Sequence, residues 1–200
     1  MRYIVTMKLL LCILGFLVIV TSSNAQDSSL KERLLQSKGN LRVSTLFNEM
    51  PVLPTDELDA EMYRMTFIPT FFKPIKIRVE RRKAEYIIVA KRLSGQGGFD
   101  AGTLQTEKRH KLKQAAWQHL ISLLAKAGFW TMAYDVKEPE PNEKGEVEIC
   151  LDGSEWMLEG VKGGKLHAVD RYCPKDKRFQ AVGLYLVKLS GLRIRDRELY

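Results

Sequence analysis

The stretch "SEWMLEGVKGGKLHAVDRY", Ser154 to Tyr172, constrains the fold more than any other part of the chain. The runs "SEWMLEGVK" and "KLHAVDRY" flank Gly163-Gly164. A glycine pair supplies the two positive-φ positions that a two-residue hairpin turn requires. Such a loop fixes the register: Lys162 faces Lys165, Gly160 faces His167, Leu158 faces Val169 and Trp156 faces Arg171. Period-two alternation then puts Trp156, Leu158, His167, Val169 and Arg171 on one face. Met157, Glu159, Val161, Leu166, Ala168 and Asp170 take the other.

The rest of the chain is read around this hairpin. In "YRMTFIPTFFKPIKIRVERR", Ile75, Ile77 and Val79 alternate with Lys76, Arg78 and Glu80, the pattern of a half-buried strand. Pro69 and Pro74 each remove a ladder donor, which marks the earlier part as an edge strand or a broken one. "EYIIVAKRL" is a second strand after the turn "RRKA". "SGQGGFDAGT" lacks the Gly-Lys-Ser/Thr ending of a phosphate-binding loop and reads as a flexible turn. Thr106 to Trp130 reads as a helix, with Thr106 as N-cap, Gly128 as C′ residue, and a stripe of Leu112, Ala116, Leu120, Leu123, Leu124 and Ala127. "EVEICL" reads as a strand, joined to the hairpin by a turn at Asp152-Gly153. "FQAVGLYLVKLSGL" is a closing helix, with Asp176 near its start and Gly191 at its end. The order β-β-α-β-β-β-α predicts a single α+β domain. Its antiparallel sheet has about five strands, packed by two main helices on one face.

The N-terminus reads as an address. Arg2 and Lys8 precede an unbroken apolar run, "LLLCILGFLVIV", and Ser23 and Ala25 occupy small-residue cleavage positions. The run falls short of the ~20 residues of a spanning helix. Residues 1–25 are therefore expected to be a secretory signal peptide, with no transmembrane segment after its cleavage. Residues 26–60 form a tether or short helix and a linker, marked by Pro51 and Pro54, and 61–200 form the domain. Loss of Arg2 and Lys8 lowers the formal charge from +8 to +6. An exported chain of that charge points to a periplasmic or secreted protein. Its electrostatic partner would be an anionic envelope component, with no nucleic acid expected.

The segments "YRMTFIPTFFKPIKIRVERR", "SGQGG", "AGFW" and "DGSEWMLEGVKGGKLHAVDRYCP" together resemble a family of exported bacterial proteins of unassigned activity. The likeness runs over roughly Tyr63 to Leu192. It is carried above all by Asp-Gly-x-x-Trp-x-Leu-Glu-Gly followed by His-x-Val-x-Arg. It implies export and one domain, and no activity. Where the family has Trp-Ser ahead of the proline, this chain has Tyr172-Cys173, so the likeness implies no disulfide or thiol chemistry.

Three groups of residues are candidates for function. Trp156, His167 and Arg171 share a face and could bind a ligand, with Trp156 and Arg171 stacked as an exposed cation–π pair. Glu159 and Asp170 lie on the opposite face. The alternative of a small hydrolase using His167 with either carboxylate therefore needs another register. Lys108, Arg109, Lys111 and Lys113 crowd the first turns of the expected helix, where they oppose its macrodipole and could hold an anion. Lys76, Arg78, Arg81, Arg82, Lys83, Lys91 and Arg92 form a second basic group on the first hairpin. Cys150 and Cys173 are left open as a disulfide. An oxidising compartment favours it, while a meander through "EVEICL" would separate the two by ~9–10 Å, beyond bonding reach. His110, His119 and His167 have no metal-ligand spacing, and neither a metal nor a cofactor is expected. The favoured function is non-enzymatic binding or a structural role in the cell envelope.

Overall fold

The computed structural model describes residues 28–36, 44–135, 144–145 and 150–200. Six strands, β1 (Ala60–Pro69), β2 (Ile75–Arg82), β3 (Glu85–Leu93), β4 (Leu104–Lys111), β5 (Ser154–Lys162) and β6 (Lys165–Tyr172), form one antiparallel sheet. Their spatial order is β4-β3-β2-β1-β5-β6. The helical residues are α1 (28–36), α2 (44–46), α3 (Gln114–Ala127) and α4 (Lys177–Ser190). The class is α+β with an antiparallel sheet, as the sequence predicts, but the strands number six rather than about five.

Two strands account for the difference. β1, expected at an edge or broken, lies between β2 and β5 and is buried along nearly its whole length. Its Pro69 is the last residue of the strand, where a missing donor interrupts little. β4 takes residues assigned to the long helix. Thr106 is in mid-strand, and α3 starts only after Lys113, which gives no side-chain cap. "TEKRHK" has no apolar residue to extend the helical stripe, and its pairing extends the ladder beyond β3. Starting the helix later also keeps Lys108, Arg109 and Lys111 away from the positive end of its dipole. Most of "EVEICL" lies outside the described residues, and the neighbour of β5 opposite β6 is β1.

The helix ends follow the sequence. Gly128 and Gly191 adopt the left-handed conformation that ends α3 and α4. The Asp176 side chain caps α4 by accepting from Arg178 N–H at 2.8 Å. Both helices pack on one sheet face. Trp117, Leu120 and Leu124 from α3, and Phe179, Val182 and Leu186 from α4, meet Tyr63, Met65, Phe67, Ile75, Ile77, Val79, Trp156, Leu158 and Val169.

The opposite face is roofed as well. Residues expected to be a tether and linker supply Leu34, Phe47, Val52 and Leu53, all buried, over Met62, Met157, Val161, Leu166 and Lys76. On the polar side of β2, Lys76 and Glu80 are withdrawn from water at 1% and 4% exposure, and Arg78 between them is partly exposed.

Candidate functional site

The hairpin adopts the predicted register. Trp156 pairs with Arg171, Leu158 with Val169, Gly160 with His167 and Lys162 with Lys165, around Gly163 (φ 57°) and Gly164 (φ 75°). The shared face is the helix-covered one, and this divides the three ligand-binding candidates. Trp156 is core rather than surface: its ring meets Phe67 edge-on at 4.7 Å and its Nε1–H donates to Leu199 O at 3.0 Å. The expected exposed stack on Arg171 is thus corrected. The Arg171 guanidinium instead donates to the Ala133 and Tyr134 carbonyls, both at 3.0 Å, and ties the chain after α3 to β6. His167 meets the Phe129 ring edge-on at 5.0 Å and lines a cavity of about 380 Å³ with Trp130, Tyr134 and Arg33.

The two carboxylates offered as partners for His167 lie on the opposite face of the hairpin. Both oxygens of Glu159 accept from Arg64, from Nε at 2.7 Å and Nη2 at 2.8 Å. Burial, with Glu155 nearby, pushes the Asp170 carboxyl up to about 7.

Arg64 belongs to a buried ionic network that fastens the roof to the sheet. It donates to Met50 O at 2.6 Å and Pro51 O at 2.9 Å. Lys91 donates to Phe47 O at 2.9 Å, and Lys76 to Ser44 Oγ at 2.8 Å. Glu49 enters this group 3.5 Å from Arg64, 3.6 Å from Arg78 and 3.4 Å from Lys91. Burial alone would raise the Glu49 carboxyl, but Arg78, Arg64 and Lys91 hold it below its ordinary value. Burial and the Arg64 charge push the Lys76 ammonium down to about 7. Arg64, Glu49 and this role of Lys91 are not among the residues that the sequence pattern marks. The available signal was a lone arginine inside the apolar run "MYRMTF", since a charge in a buried strand needs a partner.

The predicted anion-binding residues occupy β4, and the placement at a helix start is corrected. All of β4 except Thr106 is exposed. Its two sides do different work. Lys108 Nζ donates to Gly191 O, and His110 Nε2–H donates to Leu189 O at 3.1 Å. Two basic groups thus meet the negative, carbonyl-bearing end of α4, the favourable end of a helix dipole. Arg109 and Lys111 point to the other side with side chains 60% and 76% exposed. Arg109 lies 3.9 Å from Glu80, and Lys111 pairs with Glu85 at 2.6 Å. Lys113 follows as the residue before α3.

Backbone pairing defines the edge of this strand. Leu112 N–H bonds Tyr86 O at 2.8 Å. By antiparallel alternation His110 and Lys108 also turn their backbone groups to β3, while Glu107, Arg109 and Lys111 turn theirs outward. Among the described residues β4 has no neighbour on that side.

Cys150 and Cys173 form a disulfide with Cα atoms 6.4 Å apart. Cys150 lies outside the strands, so the separation expected from a meander does not arise. No known family model matches the chain, and no curated protein matches it at a significant level. Among the described residues no group of three or more His, Cys, Asp and Glu side chains is placed to hold a metal ion. No described helix is long and apolar enough to cross a membrane.

Proposed function

We propose that this chain is an exported bacterial protein that acts in the cell envelope by binding rather than catalysis, and that the basic edge strand β4 meets an anionic partner. The observation that carries this proposal is the exposure of Arg109 and Lys111 on a strand whose outer edge has no neighbour among the described residues, with Lys113 close behind. The Cys150–Cys173 disulfide supports export, because such bonds persist in oxidising compartments. The geometry favours binding over the hydrolase alternative. Glu159 is saturated by Arg64 and Asp170 lies across the sheet from His167, so neither is placed to orient or relay a proton for the imidazole.

Co-sedimentation with phosphatidylglycerol vesicles and with anionic cell-wall polymer, over a range of salt, tests the proposal. Binding at low salt that weakens as the Debye length shrinks from ~10 Å at about 0.1 M to ~3 Å at about 1 M is expected. The absence of binding to either material at low salt would overturn it.

A further inference from the structure

We infer that β4 is a strand-addition site, whose occupant is an extended acidic polypeptide segment laid along its outer edge as a seventh strand. This rests on the reading of β4 as the binding surface and names the partner class for it. Glu107, Arg109 and Lys111 present outward backbone N–H and C=O groups along an edge that no other described residue covers. An edge that alternates donors with acceptors matches another peptide backbone. A simple polyanion supplies acceptors alone and leaves the outward carbonyls unmet.

Side chains select among peptides. Arg109 and Lys111 lie on the face away from α4, beside Glu80 and Glu85. A carboxylate directly opposite either would form a cross-strand ion pair. Lys108 and His110 are held by the α4 carbonyls, so the helix side of the added strand meets positions already occupied. A second copy is a poor occupant: with Lys108, Arg109 and Lys111 against Glu107, two β4 strands meet as like-charged edges, the device by which edge strands resist self-pairing.

Fluorescence anisotropy of the purified protein with a labelled peptide of alternating Glu and Thr tests this. The control is the same peptide N-methylated at every interior amide. We expect the unmodified peptide to bind and the methylated one to bind roughly tenfold or more weakly. Arg109→Pro should weaken the unmodified peptide similarly, because it deletes an outward N–H that β3 does not use. An unchanged circular dichroism spectrum would verify that this variant is folded, and the methylated peptide gives the same test on the native chain.

Equal affinity for both peptides, or binding of anionic vesicles without the peptide, would overturn strand addition and leave electrostatic binding standing. Failure of peptide, vesicle and polymer together would remove both. A concentration-dependent dimer that Arg109→Pro abolishes would assign the edge to a second copy and overturn the acidic partner.

Discussion

Arg64 and Glu159, 95 positions apart in sequence, meet in a two-pronged ion pair with both side chains essentially removed from water. The pair joins the neighbouring strands β1 and β5 and, through the Met50 and Pro51 carbonyls, fastens the N-terminal roof to the sheet. Removing one partner strands a charge in the interior, which costs about 3–5 kcal/mol. Glu159→Leu and Arg64→Met should each destabilise by that order in chemical denaturation. The double variant should recover much of the loss, since an apolar replacement of a buried pair is often neutral. A cycle with additive losses would mean that the two side chains act independently.

Lys76 and Asp170 give the stability a pH signature with opposite signs. Lys76 is held down to about 7 by burial and the Arg64 charge. From there up to the ordinary lysine range only the unfolded chain keeps the proton, so this group makes stability rise with pH. Asp170 is pushed up to about 7 by burial and Glu155. Between the ordinary carboxylate range and that value the folded chain keeps the proton, so this group makes stability fall as pH rises. Urea midpoints across this span should show the two trends meeting near neutrality. Lys76→Met should flatten the alkaline limb and Asp170→Asn the acid limb; limbs unmoved by these changes would refute the assignments.

Trp156 leaves a mark on the helix packed against it. A Cβ added at Gly183 of α4 would lie 2.6 Å from Trp156 Cζ3, closer than real contacts allow. Glycine to alanine inside a helix ordinarily stabilises by about 1 kcal/mol. Gly183→Ala should instead lower the thermal midpoint, whereas a rise would mean that the Trp156 ring has room to move.

The disulfide spans 23 positions of sequence. Closing a loop of this size restricts the unfolded chain by an amount worth about 3 kcal/mol. Cys150→Ala with Cys173→Ala should reduce stability by that order, and reductant should do the same to the native protein and nothing to the variant.

The hairpin and the caps of α4 were legible in the sequence because their determinants are local. Gly163-Gly164 fixes a register, and Asp176 and Gly191 punctuate a helix within one or two turns. β4 was not legible: "TEKRHK" reads as the polar start of a helix until β3, distant in neither sequence nor space, offers it a ladder. The role of Glu159 was hidden for a different reason. Its face was read correctly from the alternation, but its partner lies on β1, and no local pattern announces a pairing across that separation. Of the residues proposed from sequence for ligand binding, His167 reaches a cavity, Arg171 braces the chain beside it, and Trp156 is absorbed into the core.

A salt titration of charge-reversed protein tests the binding role of β4 most directly. Arg109→Glu with Lys111→Glu changes two side chains that are 60% and 76% exposed, so the fold should persist. Binding to anionic vesicles or polymer at low salt should be lost in this variant, while the same reversal at Lys31 and Lys165, exposed residues outside β4, should leave it nearly intact. Equal binding by the β4 variant and the unmodified protein would contradict the account.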